Sequence, residues 1–231
     1  LSELRINDLR IIYLNIIFSN YYFGLFFSTF CLLIILNGSN FIDGLNGLNL
    51  GYFLIVLIVL LLSSFLNKFN IDYVSIIPLI IVISFLLILN YLNYLYIGDS
   101  GAYLIAFVIG IYILKTHITN PLTSPYFFAL LLWYPAFENF FSILRKKIRK
   151  YKSTLPDTKH LHQLIYRYLI RKEFRYKKYS NQISSIFINI YNLCIFLFSI
   201  NFTDNTLYLC ILIILNILIY LFVYFILRVK D

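Results

Sequence analysis

An all-α polytopic membrane bundle of about seven spanning helices is the fold class this sequence predicts, and three observations carry the prediction. Of its 231 residues, 61% are hydrophobic and 13% are charged, far from the balance of a soluble domain. Apolar runs recur at bilayer-spanning length, roughly 20 residues for a helix that rises about 1.5 Å per residue. The basic residues are also bunched, with 13 of the 19 Lys and Arg lying in residues 145–178.

Seven runs qualify in order: 21–36, 51–66, 74–89, 101–114, 126–143, 183–200 and 207–227. Several are short, so their ends are expected to extend into flanking Tyr and Asn. The connections are brief except for one polar, basic loop at 144–182, and the whole of 1–231 reads as a single membrane domain. Lys and Arg are retained on the cytoplasmic side, which places that loop inside. Counting outward puts 37–50, 90–100 and 228–231 inside with it, and 1–20, 67–73, 115–125 and 201–206 outside. The inside set then holds 15 basic residues, and the outside set only Arg5, Arg10, Lys68 and Lys115. The net charge of +9 therefore describes topology, and no nucleic-acid partner is expected.

Cys31, Cys194 and Cys210 sit inside apolar runs and read as small hydrophobic fillers. The chain opens on Leu1 and contains no Met, which reads as the C-terminal part of a larger domain. Residues 1–8 lack a signal-peptide pattern.

Three polar clusters fall on the expected cytoplasmic side. In the first, residues 37–48, Asn37, Asn40 and Asp43 recur every third residue and share a helix face about 120° wide. Asp43 among amides can hold a divalent cation, Asn46 and its neighbours can bond a nucleotide or sugar, and Gly44 permits close backbone approach. A capped helix end accounts for the same residues. The second cluster is Gly98-Asp99-Ser100-Gly101 at the start of a span. It reads either as a helix cap or as a phosphate site with a carboxylate metal ligand. The third is residues 156–163, Pro-Asp-Thr-Lys-His-Leu-His-Gln. His160 and His162 have zinc-like spacing, but no Cys or third His lies near them, so a diphosphate contact shared with the basic residues fits better. Lipid headgroup contact is the plainer alternative. Glu138, late in the fifth run, needs a partner in the bilayer, and Arg145 or Lys146 is expected to supply it.

These clusters, in this order, resemble the motifs of the polyprenyl-phosphate N-acetylhexosamine-1-phosphate transferases, over about residues 34–168. The match is N-x-x-N-x-x-D-G-x-x-G-L at 37–48, G-D-S-G at 98–101, and an H-x-H-H loop appearing as His160-Leu161-His162-Gln163. The resemblance implies a phosphosugar transferase that moves N-acetylhexosamine 1-phosphate from a UDP-N-acetylhexosamine to undecaprenyl or another polyprenyl phosphate. It implies Mg²⁺ as cofactor, Asp43 and Asp99 as metal and catalytic carboxylates, and His160 and His162 as catalytic contacts to the diphosphate or sugar. Asn37, Asn40, Gly44, Asn46, Ser100 and Gln163 would line the substrate pocket. It further implies a plasma (inner) membrane location with a cytoplasmic active face, a role in starting a lipopolysaccharide or other surface glycan, and room for a homodimer. Two departures accompany it: Gln163 replaces the last loop histidine, and Asn46 stands where many relatives carry a second Asp. The family's adjacent Asp pair is absent from this chain and is expected to precede Leu1.

A transporter would spread polar groups along spans and over both faces, and a membrane scaffold would tolerate replacement of Asp43 and Asp99. The clustering at one side favours the transferase.

Overall fold

The structure, a computed structural model, describes residues 4–148, 159–171 and 177–229. Its helices, in order, are α1 (Ile12–Phe18), α2 (Tyr21–Ile42), α3 (Leu48–Phe65), α4 (Tyr73–Tyr91), α5 (Gly98–Thr119), α6 (Pro125–Leu131), α7 (Trp133–Ile148), α8 (Leu161–Arg171), α9 (Ser180–Ser199) and α10 (Thr206–Val229). Among the described residues no strand occurs. Helices α2, α3, α4, α5, α9 and α10 are long and apolar enough to cross a membrane, and α6 with α7 makes a seventh span bent by 71°. This is the expected multi-pass bundle, with longer spans. α2 continues to Ile42, so the cluster beginning at Asn37 is largely helical.

Two thirds of the most apolar stretch of α3 is buried, against 17% of that of α4. Helix α3 is therefore the axis of the bundle, while α4 presents its side chains to lipid. Helices α2 and α7 touch backbone to backbone: a Cβ at Gly38 would stand 2.2 Å from the Pro135 carbonyl oxygen.

The bend in the seventh span has a chemical cause. Pro135 has no N–H to give the carbonyl of Leu131, and its ring excludes that carbonyl from a regular turn. The freed group would be costly at this depth. Tyr52, fully buried on α3, satisfies it by donating its hydroxyl to Leu131 O at 2.9 Å.

The bundle has two distinct ends. At one, Asn70 and Asn120 exchange hydrogen bonds, Asn120 Oδ1 accepting from Asn70 N at 2.9 Å and Asn120 Nδ2 donating to Asn70 O at 2.7 Å. Ser124 N donates to Thr203 O at 2.8 Å. The Arg10 guanidinium donates to the carbonyls of Asp204, Pro121 and Leu122. Segments that charge asymmetry grouped on one side thus meet.

At the other end the expected 144–182 loop is corrected. Helix α7 runs to Ile148, α9 begins at Ser180, and α8 lies between them, packed on α9 and α10. Leu161, Leu164, Ile165 and Tyr168 fall at i, i+3, i+4 and i+7, an amphipathic stripe that the surrounding charge had masked. Leu161 and Leu164 are buried.

Candidate active site

The site is built on the connection between α2 and α3. Asn40 Nδ2 donates to the hydroxyl of Tyr103 on α5 at 3.0 Å, and Ser39 Oγ lies 2.9 Å from Ala102 O. These contacts align the end of α2 with the start of α5. Asp43 closes α2 as its C-cap and is followed by a short loop that is held on every side. Asn181 Oδ1 accepts from Asn46 N at 2.7 Å, Ser185 Oγ donates to Asn46 O at 2.6 Å, and Asn189 Nδ2 donates to Gly47 O at 2.9 Å. From the end of α4, Asn90 Oδ1 accepts from Gly47 N at 2.5 Å and Asn93 Oδ1 from Asn46 Nδ2 at 2.6 Å. The amide of Asn46 is thereby committed to the loop.

Sequence reasoning missed these holding residues. Asn181, Ser185 and Asn189 recur every fourth position along α9, and that signal was available.

Burial pushes the Asp43 carboxyl up to about 6; the neighbouring Asn49 amide opposes this and the nearby Asp99 carboxylate adds to it. Asp99 and Ser100 are exposed on the first turn of α5, whose N-cap is Ile97 with no side-chain cap bond. The second cluster is therefore not spent on capping, and its carboxylate lies near enough to Asp43 to act on its charge. Asn37 stands apart. Its Nδ2 donates to Leu33 O at 3.0 Å, and it borders an apolar groove of about 530 Å³ lined by Phe30, Ile34, Trp133, Ala136 and Phe140.

Pro156, Asp157 and Thr158 of the third cluster lie outside the described residues. His160 Nδ1 is 2.8 Å from Glu138 Oε2, and Leu161 N donates to Glu138 Oε1 at 3.1 Å. Glu138 is fully buried and its partner is His160, which corrects the expectation of Arg145 or Lys146. Arg145 instead lies over the rings of Phe141 and Tyr224, 5.1 and 5.5 Å from their centroids. The start of α8 reaches Glu138 first.

The His160 ring stacks on His162 with centroids 5.5 Å apart and planes 11° from parallel, and its other neighbour is Phe41. Gln163 Oε1 accepts from His160 N at 3.2 Å. His162 has no exposed surface, and among the described residues neither ring nitrogen has a hydrogen-bond partner. Its Nε2 faces Gly44 so closely that a Cβ there would sit 2.9 Å away; the glycine is what lets the loop and the imidazole meet. Burial pushes the His162 imidazole down to about 4; the Glu138 carboxylate opposes this and His160 adds to it. His162 is neutral at physiological pH.

The structure thus brings Asp43, Gly44, Asp99, His160, His162 and Gln163 to one end of the bundle, with Asn40 and Ser100 beside them. Among the described residues no three His, Cys, Asp or Glu gather to hold a metal, so the zinc spacing of His160 and His162 finds no third ligand. The pair Asp43 and Asp99 suits an ion that keeps water and phosphate oxygens as its other ligands.

No curated protein and no solved structure matched this chain. The family model described as Glycosyl transferase family 4 matches residues 1–117, half of the chain, which includes the Asp43 loop and Asp99. The chain therefore belongs to glycosyl transferase family 4, the polyprenyl-phosphate hexosamine-1-phosphate transferases, membrane enzymes that transfer a phosphosugar to a lipid carrier.

Proposed function

We propose that the chain transfers N-acetylhexosamine 1-phosphate from a UDP-N-acetylhexosamine to undecaprenyl or a related polyprenyl phosphate at the cytoplasmic face of the plasma (inner) membrane. UMP leaves, and the lipid-linked diphosphosugar starts a surface glycan such as lipopolysaccharide. The observation that carries this reading is the convergence of two carboxylates from separate helix ends with an unpartnered imidazole pressed on a glycine loop.

In this reaction a phosphate oxygen of the lipid attacks the β-phosphorus of the UDP-sugar. The bond from that phosphorus to the bridging oxygen breaks, and the electron pair goes to UMP. Phosphoryl transfer depends chiefly on positioning and on neutralising charge. Asp43 and Asp99 would hold Mg²⁺, which when bound offsets the diphosphate charge. In this reading His160, His162 and Gln163 contact the diphosphate or sugar, and Asn40 and Ser100 border the same space. The apolar groove beside Asn37 opens toward lipid and suits a prenyl chain, with Asn37 near the headgroup.

The test uses the full gene product in membranes with undecaprenyl phosphate, Mg²⁺ and a panel of UDP-sugars, read as UMP release. Asp43→Asn and Asp99→Asn should each lower the rate by about 100-fold or more. If no UDP-sugar yields UMP, or both variants match the parent, the reading fails.

A further inference from the structure

We propose that Glu138 is the positioning residue of His160: it locks the ring with the proton on Nδ1 and so makes Nε2 the edge that meets the substrate. The second clause rests on the transferase reading; the lock itself does not.

The argument begins with what a carboxylate can do. Glu138 lies in a spanning segment, has no exposed surface, and would be strongly disfavoured there without partners. Both its oxygens are engaged. Oε2 meets His160 Nδ1 at 2.8 Å, and Oε1 accepts the backbone N–H of Leu161 at 3.1 Å. An ionised carboxylate only accepts, so Nδ1 must be the donor. The neutral ring is then the Nδ1–H tautomer, with a lone pair on Nε2. The second bond matters equally, because Leu161 opens α8 and its N–H is one of the orphan donors of a helix start. Glu138 thus fixes both the ring and the helix that carries it.

The hydroxyls of Tyr134 and Tyr220 lie beside the carboxylate, and the Phe41 ring packs against His160 with centroids 5.2 Å apart. His162, 11° from parallel with His160, has no such anchor among the described residues. The two imidazoles are therefore inequivalent: one is oriented by a buried carboxylate, and the other packs between the His160 ring and Gly44. The residue that orients His160 lies on the spanning segment formed by α6 and α7, 22 residues earlier in the chain.

The chain has three histidines, which makes a direct spectroscopic test practical. The full chain, labelled with ¹⁵N-histidine in lipid nanodiscs, is examined by NMR, with assignments from single His→Gln variants. The parent should show His160 protonated at Nδ1, with that proton shifted downfield by the carboxylate. Glu138→Gln should abolish the shift, Glu138→Asp should retain part of it, and the His117 signals should stay in place as the folding control. UMP release, measured alongside, should fall about 10- to 100-fold in Glu138→Gln, with KM for the UDP-sugar within about twofold of the parent and partial recovery in Glu138→Asp.

A parent His160 bearing its proton on Nε2 overturns the proposal, even if Glu138→Gln does not fold. A signature unchanged in Glu138→Gln overturns it as well, as does full turnover once the signature is lost. A parent without turnover on any UDP-sugar would instead sink the transferase reading and leave the NMR result to decide the lock.

Discussion

Asn189 donates its side-chain amide to the carbonyl of Gly47 at 2.9 Å, across 142 residues of chain. That bond joins the last third of the protein to the loop carrying Asp43. Both groups are buried, so removing one leaves the other without a partner, at a cost of about 1–3 kcal/mol. Asn189→Ala should lower thermal stability by about that amount and speed hydrogen exchange at the Gly47 and Leu48 amides. Exchange at the opposite end of the bundle should hold. Uniform exchange throughout would show that the loop is not pinned by α9.

Gly44→Ala tests the meeting of loop and imidazole. The added methyl would lie 2.9 Å from His162 Nε2, so the ring or the loop must move. UMP release should drop about tenfold or more with little change in melting temperature, since Gly44 itself is exposed. Gly38→Ala should behave in the opposite sense. Its methyl would meet the backbone of Pro135 at 2.2 Å, forcing α2 from α7 and destabilising the fold by about 1–3 kcal/mol or more.

His162 and Asp43 give opposing pH dependences. The folded-state His162 titrates near 4 rather than 6.5, so the unfolded chain binds its proton first. Stability from this group is intact above about 6.5 and falls as pH drops toward 4, by up to about 3 kcal/mol. Asp43 is raised from 3.8 to about 6, so its contribution is greatest when protonated and is lost as pH rises through that window. Chemical denaturation between pH 4 and 7 should therefore show a steeper acid loss in Asp43→Asn than in the parent, and a flatter one in His162→Phe. If the carboxylate serves Mg²⁺, the activation by Mg²⁺ should also weaken below about pH 6.

Trp133 is the single tryptophan of the chain. It is buried, donates Nε1 to Asn192 Oδ1 at 2.8 Å, and lines the groove beside Asn37. Its emission should shift when undecaprenyl phosphate is added and stay still with a UDP-sugar alone. Ala136→Phe, which fills the groove, should blunt that response and raise KM for the lipid severalfold while sparing KM for the UDP-sugar. An unaltered lipid KM would assign the prenyl chain elsewhere.

Much of this architecture is visible in the chain before folding. Span length and the bunching of Lys and Arg identify the bundle and its two ends, because the bilayer imposes one length scale and one charge rule. The three clusters are visible because polar residues at span ends stand out against apolar runs. Three features are hidden for physical reasons. The bend at Leu132 needs Pro135 to be read together with a tyrosine on another helix. Helix α8 is masked by its own charge. The partner of Glu138 lies 22 residues away, past the Arg and Lys that proximity in sequence nominates. The grip of Asn181, Ser185 and Asn189 is written as a four-residue period, but only the fold reveals that the stripe faces a loop.

That long-range grip has a consequence for biogenesis. Asp43 and Gly47 are synthesised before Asn181, Ser185 and Asn189, which arrive only after the four spans formed by α3, α4, α5 and the bent α6–α7 pair. Until then the loop is held by Asn90 and Asn93 without the bonds from α9. A nascent or prematurely terminated chain would hold its carboxylates without the frame that sets their geometry. Synthesis of α9 thereby doubles as the assembly step for the candidate site.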